Sequence, residues 1–422
     1  MNIRFKILSE KLIAFFICFV FNLLNTPCSS QMINIISINT NRQLGGDNGY
    51  TLNGQWMIYS RAKLLCSNNF SSTGIYPKKI NIADSYGTSG SIEQITNVLT
   101  DNIFFFGWFN KNDASTQPFI KAEVDSLYSW SIKGGKLIIG TSPDELPDIN
   151  SSILNAKWGY SLTKVATCSL FPTSQGNASD IFNGPFGNVP SVNEGGSLQG
   201  FFNTVPSNSV ILAREAYGSP TLYLDCNTLD LIAADIDVFT SIGDISSDSN
   251  INNNQDKFLA NVIVFMDKLQ DPPVIMNNEN LLICQNIYST YQWYLNGTMI
   301  QDANSQTYLA TQNGSYTVEV TLDCGCKIFP KENIVFIPNI FSPNGNGQND
   351  VLYIRGENIK EASLSIYSRW GEKVFESKDI TKGWDGTYKG KPCAAEAYAY
   401  YVTITFTDGT FVQKKGNITL VR

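Results

Sequence analysis

The hydrophobic pattern of this chain changes at Pro272-Pro273, and that change restricts the possible folds more than any other feature. Before it, short apolar runs such as Lys136–Gly140 alternate with segments of helical spacing such as Gln117–Ile132. Short buried strands separated by helices are typical of a parallel sheet covered on both faces. Residues 31–270 are therefore predicted to form one α/β head domain with five or more strands, mostly parallel.

After the two prolines, polar and apolar residues alternate without any helical pattern, which predicts all-β sandwich domains. Residues 274–334 have a Cys…Trp…Cys order, with Cys284, Trp293, and then Cys324 and Cys326, and in this they resemble an immunoglobulin-like sandwich. A small β-linker domain of another topology is the alternative. A sandwich this small gains stability from a bridge, so we expect Cys284 to pair with Cys324 or Cys326.

The N-terminus has the composition of a secretory signal peptide. Three basic residues precede the apolar run Leu12–Leu24, and small residues follow up to Ser30. The run is shorter than the roughly 20 residues that a bilayer-spanning helix needs, which disfavours the alternative of a membrane anchor. Residues 1–30 are therefore predicted to be a cleaved signal peptide, and no later segment is apolar enough to predict a transmembrane span in the mature chain.

The chain contains no histidine, which excludes Ser-His-Asp and Cys-His catalysis and every His-ligated metal site. An enzyme built from this sequence would have to use carboxylates, Lys, Tyr or a Ser-Lys pair. Only 16% of the residues are charged and the net charge is −7, so the basic surface that nucleic-acid binding requires is not expected. Composition therefore favours a binding or structural protein over an enzyme.

Residues 336–422 carry several multi-residue motifs in a fixed order. They contain the motif residues Pro338, Asn339, Phe341, Pro343, Asn344, Gly345, Asp350, Arg369, Trp370, Gly371, Trp384, Asp385, Gly386, Lys415 and Gly416. In this order the segment resembles the gliding-motility-associated C-terminal domain family, the type B sorting domain of the type IX secretion system in the Bacteroidetes. The sequence departs from the family at Asn346, where Asp is usual, and at Cys393–Glu396, where a Leu-Pro-Ser-Gly-like turn is usual.

This resemblance implies a compact β-domain that is recognised by the type IX secretion machinery. It also implies a protein that is secreted or displayed on the cell surface.

The head resembles class I glutamine-amidotransferase-like domains, in particular non-catalytic secreted members, in the strand Ala233–Phe239 and the closing helix Gln255–Leu269. The resemblance implies a flavodoxin- or amidotransferase-like sheet. It does not imply the activity, because Cys66, Cys168 and Cys226 lack the flanking glycines of a nucleophile elbow and no histidine is present. We therefore expect a non-enzymatic binding or structural head.

Polar and aromatic side chains follow several predicted head strands, near the sheet edge where parallel α/β sheets bind ligands. These candidate ligand-binding residues are Asp84, Trp108, Asn110, Asp144, Glu145, Asp235 and Asp237. Their chemistry suits a surface polysaccharide or another surface protein. Two alternatives remain open: helix caps and solvated loop ends, or a His-independent surface glycan hydrolase with a pair of carboxylates.

Asn344, Asn346 and Asp350 supply oxygen atoms at roughly alternate positions of one loop, which is compatible with calcium. The same Asx-Gly pattern is also what tight turns require. No other cofactor is expected. The natural ligand, the oligomeric state, the surface attachment and the identity of the unpaired cysteine are not encoded in these patterns.

Overall fold

The structure is a computed structural model, and it describes residues 32–39, 52, 57–86, 103–106, 121–141, 149–166, 168–193, 199–240, 250–278, 280–354, 356, 358–407 and 409–422. The chain is multidomain and rich in β-sheet. It divides into two compact units: Met1–Pro272 with Asp323–Cys326, and Pro273–Leu322 with Lys327–Arg422. The predicted signal peptide, residues 1–30, lies outside the described residues.

The described part of the first unit contains both helices and strands, and its strands within residues 183–233 follow one another without an intervening α-helix. The helices are α1 Ile58–Leu65, α2 Lys121–Ser131, α3 Ile149–Trp158, α4 Ser174–Ala178 and α5 Asn254–Lys268, with a 3-10 helix at Ile236–Phe239. The strands are β1 Met32–Asn39, β2 Lys79–Tyr86, β3 Ile103–Phe106, β4 Lys136–Gly140, β5 Ser161–Val165, β6 Ser169–Pro172, β7 Asn183–Gly184, β8 Gly187–Asn188, β9 Val192–Asn193, β10 Gln199–Thr204, β11 Ser209–Arg214, β12 Pro220–Asp225 and β13 Asp230–Ala233.

Nine of these described strands form one sheet in the order β2-β1-β3-β4-β13-β12-β11-β6-β9. From β2 to β13 every neighbouring pair is parallel, and from β13 to β9 every pair is antiparallel. The expectation of a mostly parallel sheet is therefore corrected to a sheet that is half parallel. The pairs β11-β12 and β12-β13 are antiparallel because the short connections after β11 and β12 leave no room for crossover helices.

Several elements of the head form where the sequence predicts them. The strand predicted at Ala233–Phe239 is wrong: β13 ends at Ala233 and Ile236–Phe239 is a 3-10 helix, because the Asp235 side chain accepts the Asp237 N–H and caps that helix. The run at β4 buries Leu137, Ile138 and Ile139 almost completely, as a strand covered on both faces must. Helix α5 begins at an Asn253 cap whose side-chain oxygen accepts the Asp256 N–H at 2.8 Å. Its residues Phe258 to Met266 are all buried, so hydrophobic packing of this helix stabilises the head.

The predicted Cys284 bridge is wrong. The disulfide joins Cys226, directly after β12, to Cys326, and both residues belong to the first unit. Cys284 and Cys324 carry free thiols. The physical reason is that the short segment Asp323–Cys326 belongs to the head unit, while the Cys284 thiol is fully buried at the end of a strand in the second unit. Sulfur atoms can bond only where their Cα atoms lie a few ångströms apart, and here that distance is 5.2 Å for Cys226 and Cys326.

The described part of the second unit contains strands and no α-helix. The strands are β14 Ile275–Asn278, β15 Leu281–Cys284, β16 Tyr291–Leu295, β17 Thr298–Met299, β18 Thr307–Leu309, β19 Gly314–Thr321, β20 Lys327–Ile328, β21 Lys331–Ile334, β22 Ile340–Phe341, β23 Ile359–Tyr367, β24 Lys373–Ser377, β25 Thr387–Tyr388, β26 Lys391–Pro392, β27 Ala397–Phe406 and β28 Phe411–Leu420.

Strands β14-β15-β18 form one sheet, and β16, β17, β19, β20 and β21 form another. The C-terminal sheet has the order β22-β28-β27-β23-β24. The immunoglobulin-like assignment and the boundaries 274–334 and 336–422 stay predictions.

The C-terminal sheet buries one face, as the alternation of β27 predicts. Tyr398, Val402, Ile404 and Phe406 are buried, and they pack with residues of β23 and β28 in one hydrophobic core. The final hairpin aligns Tyr398 with Ile418 and Val402 with Lys414. Throughout the residues that the structure describes, no helix is both long and apolar enough to cross a membrane.

Candidate functional sites

Two of the predicted ligand-binding residues lie in the described part of the head. Asp235 lies two residues after the end of β13, and its Oδ1 accepts the backbone N–H of Asp237 at 2.9 Å, which caps the 3-10 helix. Both carboxylates are buried. Beside them, the Thr141 hydroxyl after β4 donates to the Ala234 carbonyl at 2.8 Å. This is the geometry expected under the alternative in which these carboxylates cap a helix and do not bind a ligand.

The other five predicted residues fall outside the described side chains. They are Asp84, at the end of β2, and Trp108, Asn110, Asp144 and Glu145. Their role in ligand binding stays a prediction. Within the described ranges, no group of three or more His, Cys, Asp or Glu side chains is arranged to hold a metal ion.

A buried carboxyl that sequence reasoning missed lies at the opposite end of β13. Asp230 accepts hydrogen bonds from the Ser131 hydroxyl at 2.6 Å, the Leu137 N–H at 3.1 Å and the Trp158 Nε1–H at 2.7 Å. Burial raises the pKa of Asp230 to about 7, against the opposing effect of these donors. The carboxyl joins α2, β4 and α3, so its role is to hold the helices on the sheet. An acidic residue at the start of the apolar run Leu231-Ile232-Ala233 is the signal that could have found it.

A second missed group joins helices α1 and α5. The ammonium of Lys63 forms an ion pair with the Asp256 carboxylate, and both side chains are almost completely buried. Asn253 also donates to this carboxylate, at 2.8 Å. A buried ion pair of this kind is costly to break because the remaining buried charge loses its counter-ion.

The loop predicted as a calcium site is held by its own backbone. The Asp350 carboxylate accepts the N–H groups of Gly345 and Gly347, each at 2.7 Å. Asn344 accepts the Asn346 N–H at 3.1 Å, and Asn346 accepts from Gln348 at 2.9 Å. The Gly345 N–H, followed by the other backbone donors, holds the pKa of Asp350 below its usual range. These bonds are the Asx turns of the alternative interpretation, and calcium binding stays a prediction.

Most motif residues of the C-terminal segment hold its fold. Trp384 is fully buried between Phe341 and Tyr398, whose ring centroids lie 5.1 and 4.9 Å away, and its Nε1–H donates to Thr387 at 3.0 Å. Asp385 caps the same turn by accepting the Thr387 N–H at 2.9 Å. Gly386 has a φ of +76°, and a Cβ there would lie 2.9 Å from Pro343 and Leu420, so only glycine fits.

Other motif residues lie outside the core, and Trp370, Arg369 and Lys415 are exposed to solvent. Trp370 is 83% exposed at the turn between β23 and β24, next to Arg369, whose side chain is also largely exposed. Lys415 is exposed on β28. Its neighbour Gly416 is required for packing, since a Cβ there would lie 2.7 Å from the Tyr400 hydroxyl.

The same segment matches a known family: the CHU_C type IX secretion signal domain, over residues 335–420. Residues 335–420 are a type IX secretion signal domain. This secretion signal domain directs export of the chain, and the protein is therefore secreted or displayed on the cell surface. It makes the secretion machinery a partner of the chain.

No curated protein matches this chain. Some solved structures are similar to it at low identity. A GMP synthase component from Thermoplasma acidophilum shares 12% identity with a TM-score of 0.29, covering 56% of this chain and 94% of its own. Fibronectin(III)-like modules of Clostridium thermocellum CbhA share 12% identity with a TM-score of 0.12, covering 32% and 80%.

Dimeric latent PorU from Porphyromonas gingivalis shares 11% identity with a TM-score of 0.17, covering 55% of this chain and 26% of its own. At these TM-scores none of the three similarities supports a statement about fold or function.

Proposed function

We propose that this protein is a cell-surface protein whose α/β head binds a surface ligand or serves as a structural element, and that the secretion signal domain delivers it. The observation that carries the export step is the family match at residues 335–420, together with a C-terminal sheet whose core includes the motif residues Phe341 and Trp384. The amidotransferase-like character of the head is part of the proposal. It is supported by the parallel strands β2-β1-β3-β4-β13 with helices α2 and α3 packed nearby.

The non-catalytic role of the head is supported by the chemistry of its residues. The whole chain has no histidine, which removes the commonest general base. The two described carboxylates at the predicted edge are buried, and Asp235 is engaged in capping a helix. A glycan hydrolase would instead need two carboxyls about 5–9.5 Å apart in an open cleft. A binding surface at the same edge needs no such pair.

The export role is tested by removing residues 336–422 and fractionating the cells. We expect the full-length protein to be accessible to external protease and the truncated protein to remain in the periplasm. The Cys226–Cys326 disulfide should persist in the truncated protein, and its mapping under non-reducing conditions serves as the control for a folded head. Surface exposure of the truncated form at the full-length level would contradict the export role.

The role of the head is tested with the purified mature chain on a glycan array and on intact cells. We expect binding without release of hydrolysis products, and we expect Trp108→Ala to weaken it because an aromatic ring at the sheet edge can stack on a sugar. Tyr217→Ala is the matched control, since Tyr217 is 98% exposed in the turn between β11 and β12. Release of shortened glycans would favour the hydrolase alternative, and equal loss in both variants would contradict the predicted edge site.

A further inference from the structure

The secretion signal domain contains two motif tryptophans with opposite environments. Trp384 is fully buried, whereas Trp370 is 83% exposed at the turn between β23 and β24. Leaving an indole in water forgoes the stabilisation that its burial would bring. The core of the domain is complete without Trp370, so packing does not account for this residue.

The turn that carries Trp370 is held in one conformation by local hydrogen bonds. The Ser368 N–H donates to the Glu372 carbonyl at 2.8 Å, and the Gly371 N–H donates back to Ser368 at 2.9 Å. The Trp370 N–H donates to the Ser368 hydroxyl at 3.3 Å. Gly371 has a φ of +81°, which a residue with a side chain rarely adopts. A partner that binds this turn would therefore lose little free energy in ordering it.

Cationic and aromatic side chains lie on the turn that carries the indole and in contact with its residue Glu372. The Arg369 guanidinium lies 5.0 Å from the centre of the Trp370 ring, and it is 64% exposed with Glu396 at 3.8 Å. A second such pair is formed by Lys389 over the ring of Tyr388 at 4.6 Å. Both members of this second pair contact Glu372, at 3.8 Å from Lys389 and 2.9 Å from the Tyr388 hydroxyl. We call Arg369, Trp370, Glu372, Tyr388 and Lys389 the tip patch.

We propose that the tip patch is the surface by which the secretion signal domain docks on a protein of the type IX secretion machinery. In this complex the Trp370 indole enters an apolar pocket of that protein, and the Arg369 guanidinium meets carboxylate or carbonyl oxygens at the pocket rim. Tryptophan and arginine are the residues most enriched among those that dominate binding energy in protein interfaces. The proposal rests on the export role of the domain and names the part of it that is recognised.

The same domain supplies a matched control. Phe411, at the start of β28, is 61% exposed. The register pairs Phe411 with Thr405, and Thr405 with Glu361, at the end of β23 opposite to Tyr367 and the tip patch. Phe411 is thus an exposed aromatic residue on the same sheet but at its other end. If any exposed aromatic side chain contributed to export, Phe411→Ala and Trp370→Ala would lower surface display alike. If the domain docks through the tip patch, only Trp370→Ala lowers it.

The test compares surface display of full-length wild type, Trp370→Ala, Trp370→Phe, Arg369→Glu, Phe411→Ala and the 336–422 deletion, measured by external protease and fractionation. We expect Trp370→Ala to lower the surface fraction about tenfold or more, as loss of a dominant interface residue does. Trp370→Phe should retain part of the display, Arg369→Glu should lose most of it, and Phe411→Ala should match wild type. The midpoint of thermal unfolding should be unchanged in the purified Trp370 and Arg369 variants, because neither of these side chains is buried.

Each outcome separates the two proposals. If Trp370→Ala and Arg369→Glu reach the surface at the wild-type level while the deletion does not, the docking role is wrong and the export role stands. If the deletion also reaches the surface, the export role itself is wrong. If Trp370→Ala is displayed normally but loses binding to glycans, the tip patch is a carbohydrate site and the docking role is overturned. If Trp370→Ala does not fold, the surface display of Arg369→Glu, which keeps the indole, decides whether the docking role is right.

Discussion

The secretion signal domain and the head differ in how far apart in sequence their important polar contacts lie. In the secretion signal domain, Asp385 binds an N–H two residues away and Asp350 binds one five residues away. In the head, Asp230 and Trp158 are separated by 72 residues, and Lys63 and Asp256 by 193. Contacts within a turn leave a motif that can be read in the sequence. Contacts between distant elements leave no such motif. The sequence therefore indicates the function of the C-terminal segment but not the polar sites of the head.

The largest expected effect concerns the core of the secretion signal domain. Trp384→Ala removes a fully buried side chain and its hydrogen bond to Thr387, so we expect a loss of about 3–5 kcal/mol in the free energy of unfolding of that domain. Hydrogen–deuterium exchange of the full chain should show faster exchange in β27 and β28 and unchanged exchange in α5. Trp370→Ala is the control and should change stability by less than about 0.5 kcal/mol. Equal effects of the two substitutions would contradict the assigned environments.

The second expected effect concerns the disulfide of the head, whose removal should lower the stability of the head. Cys226→Ser removes a bridge between residues separated by 100 positions, so we expect the head to lose about 2–5 kcal/mol of stability while the secretion signal domain is unaffected. Urea unfolding monitored by exchange at β12 and β13 measures the loss. Cys284→Ser is the control, because that thiol is free. A bridge to Cys284 in peptide mapping would show that the pairing is wrong.

The next expected effect is a pH dependence of head stability. The folded pKa of Asp230 is about 7, well above its usual value, because burial disfavours the charged carboxylate. Between roughly pH 4 and pH 7 the unfolded chain therefore ionises Asp230 while the folded chain keeps its proton. Head stability should fall by about 1.4 kcal/mol per pH unit in this range and level off above it.

The absence of histidine removes the side chain that most often titrates in this range, and burial also raises the pKa of Asp225, which adds to the slope in the same direction. Urea unfolding of the head at pH 5, 6, 7 and 8 measures the slope, and Asp230→Asn should flatten it while lowering stability overall. Asp385→Asn, at an exposed carboxyl of the secretion signal domain, is the control and should leave the slope of the head unchanged. A slope that persists in Asp230→Asn would assign the effect to another group.

The smallest effect is expected at the loop of Asp350. Asp350→Asn weakens the acceptor for the Gly345 and Gly347 N–H groups, so both amides should exchange faster with little change in the unfolding midpoint. Since the pKa of Asp350 is lowered, the stabilisation by its carboxylate is lost as pH falls through that lowered pKa. The calcium hypothesis predicts further protection of these amides by calcium in wild type and none in Asp350→Asn. Identical exchange with and without calcium would contradict it.

Sequence reasoning located closely those head elements that have a strong local signal. The predicted strand Lys136–Gly140 and the predicted helix Gln255–Leu269 lie within a few residues of the observed bounds of β4 and α5. The register and the direction of strand pairing have no such local signal. Whether β12 and β13 pair antiparallel depends on which strands lie beside them, and hydrophobic periodicity does not encode that. The two edge residues in the described part of the head, Asp235 and Asp237, sit together at a helix cap, which a local Asx preference already explains.

The sequence by itself determined the export address, the strand and helix segments, and the exclusion of histidine chemistry, because these depend on residue type and short-range spacing. Only the tertiary structure decided that Cys326 bonds to Cys226, that half the head sheet is antiparallel, and that Trp370 lies in solvent while Trp384 lies in the core. The physical reason is that bond partners and burial are set by which distant surfaces the packed chain brings together. Two tryptophans in similar Trp-Gly and Trp-Asp-Gly motifs are indistinguishable until that packing is known.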